Sequence, residues 1–261
     1  MENLKLLKSM YLNVYQKKQP ITILKHLKKI KLISLSSTNF DFYLSNSAVY
    51  SSMIEGNIID FDSYLKFTFS GMNTSGKSFQ EIEDLKLAYE FSKNKKLTLS
   101  NFLNSHKILT ETIISEKKYR GKLRDKDVYV INRGKIIYAG AEPEIIKDEM
   151  NQLFKDISVI IKKDLSINEI FYYASMIHLV IAQIHPFVDG NGRASRLIEK
   201  WFLAEKIGKI AWFIQSEMLY QKRRTSYYKN IHLGKNYNNI NYDYSIPFLI
   251  MLPMALKVKQ R

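Results

Sequence analysis

The chain has 261 residues, 46% of them hydrophobic, enough for one substantial core and no more than two domains. Forty Lys and Arg against 25 Asp and Glu give a net charge of +15, but the lysines are scattered rather than striped, which argues against nucleic acid as partner; with no Cys, disulfides and thiolate metal sites are excluded. The N-terminus is broken by charges and lacks a signal-peptide core, and the apolar run from Ile246 to Leu256 contains Pro247 and Pro253 and falls short of the roughly 20 residues that span a bilayer, so a cytoplasmic chain off the membrane is expected.

Residues 1–35 are Lys-rich and amphipathic. Leu4, Leu7, Tyr11 and Val14 fall at helical spacing, and Lys25, Lys28, Lys29 and Lys31 form a second basic cluster, so 1–40 reads as a helical extension with a solvated or partner-facing basic face. A second helix is expected over about 44–56. Ser51 and Glu55 share one of its faces, and Gly56 suits its C-terminal cap. Read alone, this is a helix end and nothing more.

Gly71-Met72-Asn73-Thr74-Ser75-Gly76-Lys77-Ser78 satisfies G-x-x-x-x-G-K-S, the P-loop pattern. A P-loop needs a parallel βαβ sheet around it and a second strand ending in Asp. Neither pattern is present, so a polar connecting loop is expected, with Ser78 and Glu81 as a capping box opening the next helix. Helices are predicted over roughly 79–93 and 100–115, the second carrying His106. Val128, Val130, Ile136 and Tyr138 then alternate around Asn132-Arg133-Gly134-Lys135, a hairpin signal with Gly in the turn.

Pro143 opens a helix with Ile146, Met150, Leu153, Phe154 and Ile157 on one face. Ser166 and Glu169 form a capping box, and the helix from Ile167 to Ile184 is apolar nearly all round, so it should be central and buried. His178 on that helix reads as a hydrogen-bonded core histidine.

The stretch that follows is His185-Pro186-Phe187-Val188-Asp189-Gly190-Asn191-Gly192-Arg193-Ala194-Ser195-Arg196. Each residue type suits phosphate chemistry. His185 can accept a proton near neutral pH, and Pro186 disfavours helix at the residue before it, leaving the imidazole at a helix end. Gly190, Asn191 and Gly192 allow positive φ, so that successive N–H groups converge on an anion, and the N-terminus of the next helix faces the same place. Asp189 is a hard oxygen ligand suited to Mg²⁺ shared with phosphates. Arg193 and Arg196 share a face of the first turn and offer guanidinium forks. Farther on, Arg223-Arg224-Thr225-Ser226-Tyr227-Tyr228 precedes an apolar tail, Asn241 to Leu256.

The run 185–196 resembles the signature of the Fic family, His-Pro-Phe-x-Asp/Glu-Gly-Asn-Gly/Lys-Arg-x-x-Arg, and fills every fixed position. Ser51-Ser52-Met53-Ile54-Glu55-Gly56 is similar to the family's inhibitory motif, Ser/Thr-x-x-x-Glu-Gly/Asn, and its upstream position resembles that of the N-terminally inhibited class. The hairpin, with Tyr119-Arg120-Gly121 before it and Glu142-Pro143 after it, resembles the family's flap, in which Val130, Ile131, Asn132 and Arg133 would align a target side chain by main-chain bonds. Phe102 to His106 resembles a recurrent Leu-x-x-x-His of structural role. Arg223 to Tyr228 resembles the downstream Arg/Lys-x-x-Tyr-Tyr, whose tyrosines, here Tyr227 and Tyr228, border the nucleotide base. The tail looks like the closing helix. The resemblance covers about 40–258.

What the resemblance implies is a mainly α Fic-type helical bundle over 41–258, with one short β-hairpin flap and an N-terminal helical extension. The implied activity is protein adenylyl transfer (AMPylation). His185 takes the proton of a target Tyr, Thr or Ser hydroxyl, which attacks the α-phosphorus of ATP. Asp189 holds Mg²⁺ (or Mn²⁺). Gly190, Asn191 and Gly192 cradle the phosphates, Arg193 and Arg196 hold the β- and γ-phosphates, and Phe187 anchors the loop. Glu55, with Ser51, is the implied brake on Arg196. The implied partners are ATP and a target protein, the chain itself included; self-association into a homo-oligomer is compatible with the reading. Removal of AMP, phosphocholine transfer and phosphate transfer remain open beside it, since the motif does not separate them, and a P-loop NTPase and a nucleic-acid-binding protein stand as alternatives from other classes.

Overall fold

The computed structural model describes residues 4–33, 40–70, 76–132 and 134–258. Its architecture is mainly α. At the centre lies α8 (Ile167–Ile184), entered through the Ser166–Glu169 capping box and buried along nearly its whole length. By length and composition α8 could cross a membrane, with a mean hydropathy of 1.2, yet 78% of it is buried inside the protein. It is spent on the core. Against it runs α9 (Asn191–Ile207), with Ala194, Leu197, Ile198, Trp201 and Phe202 inside.

Around this pair pack α3 (Phe40–Ile54), α5 (Lys77–Lys93), α6 (Leu99–Leu109) and α7 (Pro143–Lys162), the last opened by Pro143 at its first turn. Between α3 and α5 lies the short α4 (Phe61–Ser70), and α10 (Ser216–Lys222) and α11 (Arg224–Ile231) follow α9. The fold holds α3 deep: Leu44, Ala48, Val49, Ser51, Ser52 and Ile54 are buried, and α9 donates the fully buried Lys200 Nζ to Ser47 Oγ (2.6 Å) and to Glu217 Oε2 (2.6 Å). A buried ammonium is tolerable only when so paired.

Several expected boundaries move, each for a tertiary reason. The helix expected over 100–115 stops at Leu109, because the Thr112 N–H is taken by Asp84 Oδ2 (2.8 Å) instead of a carbonyl four residues back. Ser78 is no cap: α5 starts at Lys77 after Gly76, and Glu81 is used elsewhere. In the extension, residues 4–10 are not helical; the Leu6 and Leu7 N–H groups are held by Asp156 Oδ2 (2.7 and 3.0 Å). Helix α1 begins at Leu12 and ends at Lys18, and α2 covers Ile23–Ile33. Tyr15, not Val14, is the buried face of α1, and its ring meets Tyr172 edge-on at 5.4 Å. Lys25, Lys28 and Lys29 are exposed; the side chain of Lys31 lies outside the described residues.

The tail is not one helix. It breaks into α12 (Ile246–Leu249) and α13 (Met251–Met254), since Pro253 has no N–H to give Leu249. Residues 71–75 of the P-loop pattern lie outside the described residues, but the only sheet among the described ones is an antiparallel pair, β1 (Tyr129–Asn132) and β2 (Lys135–Ala139), so the parallel sheet a P-loop needs is absent there. In that hairpin an irregularity between Val130 and Ile131 breaks the alternation: Val130 pairs with Tyr138, which is buried, while Ile136 pairs with Ile131 and both face solvent.

Candidate active site

Helix α8 ends where Pro186 requires it, and His185 caps it in the left-handed region (φ 54°), the one described non-glycine residue with positive φ. Such a conformation is held by its surroundings. Arg124, 3% exposed, supplies them: its Nε donates to the His185 carbonyl (2.8 Å), its Nη1 to Lys126 O and its Nη2 to Ala141 O, and its own N–H bonds Pro186 O (2.9 Å). Nothing in the local pattern marks Arg124, and the sequence reading passes over it.

The loop is stiff. Asn191 closes it with both ends of its amide, Phe187 N–H to Oδ1 (2.9 Å) and Nδ2 to Phe187 O (2.8 Å). The Phe187 ring stacks on His106 at 3.5 Å. His106 takes the Gly121 N–H on Nδ1 (3.0 Å), so Nε2 carries the hydrogen given to Asp189 O (2.9 Å). Burial pushes this imidazole down to about 4. Of the two expected left-handed glycines only Gly190 is one (φ 79°). Helix α9 already starts at Asn191 and includes Gly192, so the first N–H groups of α9, not a run of positive-φ residues, face the loop.

Beside this loop opens a cleft of about 940 Å³, bordered by His185, Gly192, Gln183, Tyr138, Tyr228 and Glu55. That lies within the range of small-molecule sites, roughly 300–1,000 Å³. An adjoining space of about 230 Å³ is bordered by His185, Asp189, Arg193 and, from β1, Val130. His185 has one long contact, Nδ1 to Ala182 O at 3.4 Å, and its Nε2 has no hydrogen-bond partner among the described residues. Burial first, and the Arg124 charge besides, push it down to about 4, so it stands neutral with a lone pair to offer. The carboxylate of the exposed Asp189 accepts only its neighbour's Gly190 N–H (2.6 Å) among the described residues.

Both arginines already hold carboxylates. Arg196, fully buried, gives Nη2 to Glu55 Oε1 (2.7 Å) and to Ser51 O (3.0 Å), Nε to Ser51 Oγ (2.8 Å) and Nη1 to the Tyr227 hydroxyl (3.2 Å). The carboxylate lies one residue past α3, which covers 40–54 rather than 44–56. Burial opposes its charge, but Arg196 and then Arg193 outweigh burial and hold it below the usual carboxylate range. Its seat depends on Gly192, where a Cβ would lie 2.2 Å from Glu55 Oε1. Arg193 reaches Glu81 Oε2 (3.2 Å) and keeps a buried Nε without a partner, a geometry missed because the two residues are 112 apart in sequence.

The remaining expected residues divide. Tyr227 and Tyr228 both border the cleft, and Tyr228 donates to Ile54 O (3.0 Å). Tyr227 is 2% exposed, its hydroxyl between His178 Nε2 (2.9 Å) and Arg196. Val130 and Ile131 border the cleft; the side chain of Asn132 and all of Arg133 lie outside the described residues.

Residues 96–203 match the Fic/DOC family. Over that stretch the chain is similar to the Fic/DOC family. The match covers α6 to α9 with the hairpin between, and it ends inside the helix that bears both arginines. A relative from Nematostella vectensis, described as protein adenylyltransferase Fic, is 28% identical over 159 residues, 57% of this chain; the chain spans 35% of that relative's length. Three solved structures share the fold. A Fic family protein from Desulfovibrio desulfuricans has a TM-score of 0.71 at 18% identity, covering 92% of this chain and 74% of its own. A Fic domain containing signaling protein from Bacteroides thetaiotaomicron has 0.65 at 19%, covering 97% and 94%. A fragment of Fic-1 from C. elegans has 0.61 at 17%, covering 97% and 69%. At 97% coverage the last two likenesses extend beyond residues 96–203 into the helices before them.

Proposed function

We propose that the chain is a protein adenylyltransferase held inactive by Glu55. The observation that carries the reading is the Glu55–Arg196 pair: a carboxylate seated 2.7 Å from a fully buried guanidinium, at the first turn of a helix whose free N–H groups border an open cleft. Such a carboxylate stands where a phosphate oxygen would be bound.

With Glu55 withdrawn, Arg196 and Arg193 take the terminal phosphates and the N–H groups at the start of α9 face the α-phosphate. The hydroxyl of a target Ser, Thr or Tyr, aligned along β1, attacks the α-phosphorus; its proton passes to His185 Nε2, the bond from phosphorus to the bridging oxygen breaks, and pyrophosphate leaves. The negative phosphates would raise the His185 pKa from about 4, which improves it as a base. Asp189 is the residue to hold Mg²⁺ or Mn²⁺. It is exposed and borders the smaller adjoining space beside His185 and Arg193, which suits a cation that takes one carboxylate and completes its shell with phosphates and water. Bound there, the cation would neutralise charge on the leaving phosphates.

The targets are a protein hydroxyl, this chain's own included, and the place of action is the cytoplasm, with no membrane or nucleic acid involved. The test is intact-mass spectrometry of the Glu55→Gly variant after incubation with ATP and Mg²⁺, alone and in lysate. Addition of one adenylyl group, absent in Glu55→Gly with His185→Ala, supports the reading. Addition of phosphate alone, or loss of AMP from a modified protein without any gain, would reassign the chemistry to another member of the same transfer class.

A further inference from the structure

Behind Arg196 lies a line of groups that the transfer step does not use. The guanidinium Nη1 donates to the Tyr227 hydroxyl (3.2 Å). That hydroxyl lies 2.9 Å from His178 Nε2, and His178 Nδ1 lies 2.8 Å from Glu199 Oε2. Tyr220 donates to the same carboxylate, 3.0 and 2.9 Å from its two oxygens. Every member is out of water: Arg196, His178, Glu199 and Tyr220 are 0% exposed and Tyr227 is 2%.

The donors fall in one order. A carboxylate only accepts, so Nδ1 of His178 carries the hydrogen and Nε2 offers its lone pair. The Tyr227 hydroxyl must then donate to Nε2, which leaves its oxygen free for Arg196. The line runs without conflict from guanidinium to carboxylate, and each buried polar group on it is satisfied. Tyr227 borders the cleft, and its ring is packed against Tyr220 (4.9 Å), Tyr228 (5.3 Å) and Phe248 (6.0 Å).

We propose that Tyr227 is a positioning residue for Arg196: its hydroxyl, oriented through His178 by Glu199, holds the guanidinium so that the fork faces the cleft whether Glu55 or a phosphate fills it. The inference rests on the reading above in one respect, that Arg196 takes a terminal phosphate. A long arginine side chain has many rotamers, and fixing it beforehand removes an ordering cost from ligand binding. Ser51 fixes one side of the fork from α3, and Tyr227 fixes the other from the core.

The test is calorimetric titration of the full chain in the Glu55→Gly background with three probes: ATP, AMP and inorganic tripolyphosphate. Tyr227→Phe keeps the ring and removes the hydroxyl. Loss of one hydrogen bond to a charged group predicts roughly tenfold weaker binding of ATP and of tripolyphosphate, and little change for AMP, which lacks the terminal phosphates. Tyr220→Phe is the control, since it removes an equally buried hydroxyl from the same carboxylate without touching Arg196; it should leave all three affinities near their starting values. A Tyr227→Phe loss equal for ATP and AMP would return the residue to the base, and equal losses in the two tyrosine variants would reduce it to packing; either overturns the proposal. Should Tyr227→Phe not fold, His178→Gln reads the same line from one step farther out, with a smaller loss confined to ATP and tripolyphosphate, and no loss there overturns it. Tripolyphosphate binding without ATP binding would defeat the nucleotide reading alone; no binding of either by Glu55→Gly defeats both.

Discussion

His106 and His185 sit on either side of the same loop, and burial pushes both imidazoles down to about 4. Their surroundings differ in one respect. His106 has a partner on each nitrogen, Gly121 N–H and Asp189 O, and a ring stacked on its face. His185 has a 3.4 Å contact on one nitrogen and none on the other among the described residues, and it borders both cleft spaces. A shifted pKa therefore does not separate a reactive histidine from a structural one. The unfilled valence does, and the next residue out from each makes the same point: one histidine bonds the loop that carries Asp189, and the other faces the space beside it.

Substitutions at the two positions should move opposite quantities. His185→Ala should lower transfer by roughly 10²–10⁴-fold, the cost of a lost general base, while ATP affinity and melting temperature stay near wild type. His106→Ala should instead destabilise by on the order of 2–4 kcal/mol, through a cavity and two orphaned backbone groups, seen as a lower midpoint in thermal unfolding. A stability loss at His185 as large as that at His106 would erase the distinction.

The next effect concerns the proposed brake. Glu55→Gly should raise self-modification on the order of 10²-fold, if misplacement of the α-phosphate by about 1 Å is what the carboxylate imposes. Labelled-ATP incorporation by wild type, Glu55→Gly and the double variant with His185→Ala measures it. Equal incorporation by the first two at matched folding removes the brake.

Acid should then separate folding from chemistry. The folded pKa of both histidines lies near 4, below the unfolded 6.5, so between those values the unfolded chain binds protons that the folded one does not. Their contribution to stability is full above 6.5 and is lost as pH falls toward 4. Glu55, also lowered, adds a loss of the same sign below its ordinary 4.5. Thermal melts across this range should fall with acid, less steeply in His106→Ala. In the Glu55→Gly background kcat/KM should hold at pH values where an ordinary histidine is half protonated; an acid limb centred at 6.5 would show that burial does not govern His185.

The smallest effect is expected at Gly192. A Cβ there would stand 2.2 Å from Glu55 Oε1 and 3.2 Å from Arg196 Nη1. Gly192→Ala should displace the flexible carboxylate and raise incorporation several-fold, less than Glu55→Gly because the methyl also crowds the arginine. Incorporation at or below the wild-type level would show that the carboxylate tolerates the methyl.

Local pattern carries the parts of this fold that local forces decide. The Ser166 capping box, Pro143 at the start of α7 and Pro186 after α8 each act on their own neighbours, and those ends fall where the residues put them. What the pattern cannot hold is pairing at a distance. Leu6 and Leu7 give their N–H groups to Asp156, 150 and 149 residues away, and the extension consequently starts its first helix late and buries Tyr15 instead of Val14. Glu81 looks like half of a capping box until Arg193 arrives, and Arg124 has no signature because its partners are carbonyls. Tyr227 is legible as an aromatic near the site, but its hydroxyl partners come from α8 and α9.

The depth of α3 bears on how such a chain could be switched. Its last turns are interior, and Lys200 and Arg196 of α9 grip Ser47 and Ser51. A controller that had to pull this helix away would have to open the core. Yet Glu55 lies beyond the last helical residue, with 27% of its side chain still in contact with solvent, next to Gly56 at φ 100°. If Glu55 is the proposed brake, its cheapest release is thus a turn about its own side-chain bonds, with the scaffold unmoved. On that reading, cutting α3 away would remove part of the scaffold along with the brake.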